Sequence, residues 1–147
     1  MNTVSESESA SSGEPLPIAA KGDRIDGADL QFTIDALRTI ANGLDDLITD
    51  DLAISDIQTI GRAQAQLRSC AAALVVRQID MLPGQAKVAA EHINSAIRYA
   101  DDAIRHVSES KARLARVAAV IGFVGAVTTG SGAAIVKAAV TLKSALA

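Results

Sequence analysis

The sequence predicts an all-α protein: an antiparallel helical hairpin or bundle with one long heptad-patterned helix and a short apolar C-terminal helix. Three observations carry that prediction. The 147 residues are 49% hydrophobic, yet they include no Trp, one Tyr and two Phe, and alanine alone makes up about a fifth of the chain. Alanine and leucine favour helix, while the aromatics that usually fill strand surfaces are nearly missing. Apolar residues also recur at alternating spacings of four and three, the pattern of a helix that packs on another helix. One domain is expected at this length. Ten Gly, one Cys and a formal net charge of -3 exclude collagen-like, disulfide-rich and strongly charged disordered classes.

The elements follow in order. Residues 1–27 combine Ser, Glu, Gly and Pro with little apolar content, which predicts a disordered acidic tail ahead of a helical domain at 28–147. Within that tail Pro15 and Pro17 favour an extended form for the short apolar run at 16–20. The seam Leu30, Ile34, Leu37, Ala41, Leu44 and Ile48 predicts a first helix over 29–49. Gly43 weakens it by about 1 kcal/mol relative to Ala. Ser55 and Gln58 form a capping-box pattern that opens a second helix over 55–81. Its seam of Ile57, Ile60, Gln64, Leu67, Ala71, Leu74, Gln78 and Met81 places two glutamines where they hydrogen-bond across to neighbours or loosen the packing. Leu82, Pro83 and Gly84 break the chain.

The third predicted helix, 85–127, is the longest. Ala86, Ala90, Ile93, Ile97, Ala100, Ile104, Val107, Lys111, Leu114, Ala118 and Ile121 keep the spacing, and no Pro intervenes. A continuous helix of about 40 residues is about 60 Å long, so its C-terminal part outruns its partners and must project, bend or find cover. The run TTGSG at 128–132 reads as a turn, followed by a last helix over 133–146.

Charge is distributed unevenly. Residues 1–29 sum to -4, 30–100 to -2 and 101–147 to +3, and no acid follows Glu109. The overall acidity and the scarcity of aromatics argue against nucleic-acid binding, which needs a basic face and stacking platforms. The opening MNTVSESESA carries acids and serines where a secretory signal needs bases and an apolar run. A cytoplasmic location is expected, with peripheral or inserted contact at a membrane.

The unusual segment is 117–136, VAAVIGFVGAVTTGSGAAIV, which is uncharged over twenty residues. That length spans a bilayer core of about 30 Å. Its four Gly, two Thr and one Ser offset its best apolar residues, which contribute only about -0.3 to -0.6 kcal/mol each to insertion. Residues 117–146 are therefore read as an apolar, glycine-interrupted hairpin with three possible settings: buried in a soluble bundle, inserted in a membrane, or covered by a partner. The predicted membrane or partner contacts are Val117, Val120, Ile121, Phe123, Val124 and Val127 before the turn and Ile135, Val136 and Val140 after it. The flanking bases Lys111, Arg113, Arg116, Lys137 and Lys143 would each gain about 1 kcal/mol near anionic headgroups. Ala118, Gly122, Ala126 and Gly130 form a small-residue stripe that permits close helix packing. This apolar hairpin after a heptad-patterned stretch resembles the insertion element of helical pore-forming toxins, a likeness of fold over less than a quarter of the chain.

Chemistry-bearing constellations are sparse. Asp102 and His106 are four apart with Glu109 a turn further, but a di-iron bundle needs Glu-x-x-His pairs on two helices, and the sequence has none. A solvated Asp–His pair is expected there, with an exposed Glu109–Arg113 ion pair beside it. Cys70 lies among Ser69 and alanines with nothing near in sequence to activate it. The glycines at 122–132 match no phosphate loop, because no strand precedes them. The expectation is a non-enzymatic helical interaction protein that associates with a membrane through the hairpin, with no cofactor, metal, nucleic acid or small-molecule substrate. The alternative is a soluble accessory protein, immunity-like or chaperone-like, that oligomerises as a coiled coil or meets a protein partner through the heptad seams and whose hairpin is buried in the bundle or in a partner.

Overall fold

The computed structural model describes residues 23–82 and 84–147. The tail expected at 1–27 lies outside the described residues as far as residue 22. Its last part is ordered, however: Asp23–Ile25 forms strand β1. Then come α1 (Gln31–Gly43), a 3-10 turn (Leu44–Leu47), α2 (Ile54–Val76), strand β2 (Ile79–Met81), α3 (Gln85–Arg105), α4 (Ser110–Thr129) and α5 (Gly132–Leu146). The five α-helices pack against one another as an all-α bundle, with a small two-stranded sheet at one end.

Most of the first three predicted seams forms the core, although Ile48, Gln78 and Lys111 at their ends or beyond the break are exposed. Leu30, Ile34, Leu37, Ala41 and Leu44 are buried along α1, as are Ile60, Gln64, Leu67, Ala71 and Leu74 along α2. On α3 the buried set includes Ala86, Ala90, Ile93, Ile97, Ala100 and Ile104. These stripes close on each other within one chain. Gln64 shows how a polar seam residue is accommodated: its Nε2 donates to the Ala41 carbonyl at 2.9 Å and to Asp45 Oδ1 at 2.7 Å. A buried amide left without partners would be costly, so both bonds tie α2 to the end of α1. Thr33, fully buried, likewise donates to Asn94 Oδ1 at 2.7 Å and ties α1 to α3.

Four boundaries differ from the sequence reading. The helix expected over 29–49 ends at Gly43, and the chain tightens into the 3-10 turn. The second helix begins at Ile54 with Ala53 as its N-cap and no side-chain cap bond, so Ser55 does not cap it. That helix also stops at Val76, and Ile79–Met81 pairs antiparallel with β1 in the register Asp23↔Met81, Arg24↔Asp80, Ile25↔Ile79. Ile25, Ile79 and Met81 are buried, which explains the pairing: three apolar side chains gain cover that a frayed helix end would not provide. Gln78, expected on a helix seam, instead accepts from Arg24 Nη1 at 2.7 Å across the sheet.

The largest difference is the long helix, which is two helices. α3 ends at Arg105, and α4 starts after Glu109, whose Oε1 accepts from the Ala112 N–H at 3.3 Å as an N-cap. Glu109 thus serves as a cap rather than in the expected pair with Arg113. The carbonyls orphaned at the end of α3 are met by side chains of α4: Arg113 Nε donates to Val107 O at 3.1 Å and Arg116 Nη1 to Ala103 O at 2.9 Å. The energetic balance favours the break. Interrupting the helix exchanges a few backbone bonds of about 1 kcal/mol each for side-chain ones. Folding back buries Val117, Val120, Phe123, Val124 and Val127, each contributing about 1.5–3 kcal/mol. The buried phase slips at the break, so that Ala118, expected on the seam, faces solvent while Val117 and Val120 face inward.

Arg116→Ala is expected to lower stability by about 1 kcal/mol, since it removes a charge-assisted bond to an orphan carbonyl at a half-buried position. Lys111→Ala, at an exposed position one turn earlier, is expected to stay within about 0.5 kcal/mol of the parent. Urea unfolding of the two variants checks the contrast.

Candidate functional site

The turn joining α4 to α5 is built from the TTGSG run. Thr128 and Thr129 each donate a side-chain hydroxyl to the Gly125 carbonyl, drawing the end of α4 together. Ser131 then caps α5, its Oγ accepting from the Ala134 N–H. Gly130 closes the turn tightly: a Cβ there would lie 2.7 Å from the Ala126 carbonyl oxygen in the last turn of α4 and 3.1 Å from the Ala134 Cβ of α5. Beyond the turn the two helices wall an open groove of about 470 Å³.

The predicted contact residues divide into two groups across this hairpin. Val117, Val120, Phe123, Val124, Val127 and Ile135 are buried and face the bundle. Ile121 and Val136 are half-buried, and Val140 is the large apolar residue left exposed, at 58%. The small-residue stripe divides as well. Ala118 and Gly122 are exposed, and no atom lies within 4 Å of where a Cβ on Gly122 would stand. Close packing is realised at Gly130, and half-buried Ala126 lines the groove.

The bases are divided in the same way. Arg113 and Arg116 are engaged at the end of α3, and Lys143 Nζ donates to Ser95 Oγ of α3 at 3.0 Å. Lys111 and Lys137 are exposed and make no ion pair or hydrogen bond among the described residues. An anionic surface would therefore meet two of the five predicted cations outright, giving about 2 kcal/mol at about 1 kcal/mol each.

The outward side of the hairpin is uncommon for a water-facing surface. Its groove is lined by Ala119, Gly122, Phe123 and Ala126 from α4 and by Ala134, Lys137, Ala138, Thr141, Leu142 and Ala145 from α5. Side chains there are small and uncharged apart from Lys137, and Phe123 and Leu142 form a buried floor. The α5 wall escaped the sequence reading, although Ala134, Ala138, Thr141 and Ala145 carry the same spacing of four, three and four as the seams. No family model, curated protein or solved structure matches the chain.

Two other places bear on chemistry. Cys70 is half-buried in a groove between α2 and α4, beside Ser69, Ala73, Ile121 and Gly125. Burial raises its thiol pKa above the ordinary value, so the thiolate is disfavoured. Its alkylation by iodoacetamide is expected to be slower than that of free cysteine at pH 8, with the rate–pH profile displaced to higher pH. A profile displaced to lower pH contradicts this. His106 and Asp102 form the expected exposed pair at 3.6 Å, while His106 Nδ1 lies 2.7 Å from the Asp102 carbonyl oxygen. Among the described residues no group of three or more His, Cys, Asp or Glu side chains is placed to hold a metal ion.

Proposed function

We propose that the protein is a non-enzymatic α-helical interaction protein that receives a partner helix on the outward face of α4 and α5. The observation that carries this reading is the groove of about 470 Å³, lined by small side chains over a floor of Phe123 and Leu142. Small residues let a second helix approach to the 8–10 Å typical of packed helices while the floor supplies apolar contact. A docking surface of this kind needs no reacting group. Lys137 at its edge favours a partner with an acid at the matching position.

A second reading rests on α4 itself, which is long and apolar enough to cross a membrane by length and composition. In that reading the hairpin leaves the bundle and inserts. The burial of Val117, Val120, Phe123, Val124, Val127 and Ile135 weighs against it, because release exposes that whole core face first. A photoreactive side chain at position 122, in cells that make the protein, separates the two. The partner-helix reading expects a protein adduct of discrete mass, lost when Ala126→Glu charges the groove, and no flotation with anionic vesicles. Lipid adducts together with flotation overturn it in favour of insertion.

A further inference from the structure

We propose that the cavity between the C-terminal ends of α1 and α3 binds a small zwitterion, an aliphatic α-amino acid of about the size of leucine. The cavity has a volume of about 320 Å³ and lies at the opposite end of α3 from the sheet. The inference is independent of the partner reading, which concerns the groove between α4 and α5.

The charges around the cavity select the ligand. Its lining holds two acids, Asp46 and Asp101, and two bases, Arg105 and Arg113, so it is neutral overall. Asp101 and Arg105 satisfy each other through two contacts, Oδ1 to Nε at 3.2 Å and Oδ2 to Nη2 at 3.1 Å. Arg113 and Asp46 remain, and they form no ion pair with one another. Arg113 is half-buried, and its Nε is held by the Val107 carbonyl at 3.1 Å. Among the described residues its two terminal nitrogens have no partner, and neither has the carboxylate of exposed Asp46. A guanidinium fixed in this way is suited to a carboxylate, which it meets with two N–H donors. Asp46 suits an ammonium group, and the carbonyl end of α1 beside it adds the same sign. A ligand of one charge would satisfy only one of these groups, whereas an α-amino acid carries both.

Between the two charges the floor is apolar. Ile40, Leu44 and Ile104 form it, and an aliphatic side chain gains cover there. Gly43 leaves the room, since no atom lies within 4 Å of where its Cβ would stand. At about 30 Å³ per water-sized group, the cavity takes about ten non-hydrogen atoms, which is the size of leucine. The sequence gives no sign of the site, because its groups come from three separate stretches of chain.

Amide NMR titration of the full chain with L-leucine tests this. Saturable shifts are expected around residues 39–46, 101–105 and 113, with a dissociation constant below about 1 mM. Isocaproate, which lacks the ammonium group, and isopentylamine, which lacks the carboxylate, should each bind at least about tenfold more weakly. Asp46→Asn changes an exposed side chain without partners, so the fold is retained. It should weaken leucine about tenfold and leave isocaproate unaffected. Gly43→Val should abolish binding by filling the cavity. Gly43 has a helical φ of -65°, so valine fits without strain, and urea unfolding checks that stability is kept. The proposal is overturned by an absence of saturable shifts up to about 10 mM leucine, or by isocaproate binding as tightly as leucine. Leucine affinity untouched by Asp46→Asn, or by Gly43→Val, overturns it too.

Discussion

Replacing Phe123 by alanine is expected to lower the unfolding free energy by about 3 kcal/mol. Phenylalanine-to-alanine changes in cores cost about 3–5 kcal/mol through lost burial and the cavity left behind. Phe123 is only 4% exposed, so the transfer loss applies nearly in full. It also floors the open groove between α4 and α5, where water can enter the vacated space and hold the loss near the lower end. Equilibrium urea unfolding measures the effect. A loss below about 1 kcal/mol would mean that α4 is not part of the cooperative core, and the fold-back of the hairpin would carry little of the stability.

The second large effect concerns the glycines of the small-residue stripe, which are predicted to respond with opposite signs. Gly130→Ala is expected to destabilise by about 2 kcal/mol. The new methyl would stand 2.7 Å from the Ala126 carbonyl oxygen, a backbone atom of the last turn of α4, and 3.1 Å from the Ala134 Cβ of α5, so the end of α4 and the turn must shift. Overpacking of this kind costs about 1–3 kcal/mol, which outweighs the 0.4–1 kcal/mol gained by restricting the unfolded chain. Gly122→Ala meets nothing within 4 Å and lies inside α4. There only the helix-propensity and unfolded-state terms act, and a gain of about 0.5–1 kcal/mol is expected. Thermal unfolding of the two single variants gives both signs. Equal destabilisation would mean that the stripe packs as one continuous contact.

Much of the bundle is legible in the chain because its cause is local and periodic. Leu30, Ile34, Leu37, Ala41 and Leu44 are spaced by four and three, and all are buried. The composition of 128–132 announces a turn there, although α4 runs on through Thr129 and only Gly130 and Ser131 lie between the helices; α5 begins within one residue of the expected position. What escaped depends on competition between distant groups. The break at 106–109 contains no Pro or Gly. It arises because Glu109 caps the next turn and Arg113 and Arg116 reach back to the carbonyls of α3, while the folded-back valines find cover on other helices. Strand β1 is three residues long, and its one strong apolar side chain, Ile25, acquires meaning only opposite Ile79.

The hairpin at 117–146 was legible as apolar and basic-flanked, but its two faces were not. The sequence places Ala118 on the packing seam and Val117 among the contacts for a membrane or partner. The packing turns Val117 inward and Ala118 to solvent, so the large side chains form core and the small ones form surface. The flanking bases look alike in the chain, yet two of them cap a helix and a third tethers α5 to α3. A feature that reads as a membrane signal is thereby divided between the buried core and a surface groove lined by small residues.

Native-state hydrogen exchange of the full chain tests this division most directly. The amides of Val117, Val120, Val124 and Val127 are to be compared with those of Ile93 and Ile97 at the centre of α3. If the hairpin is an integral part of the core, both sets exchange only through global unfolding and show the same free energy of opening. Exchange of the α4 amides through a local opening several kcal/mol below that of α3 would contradict the account and describe a hairpin poised to leave the bundle.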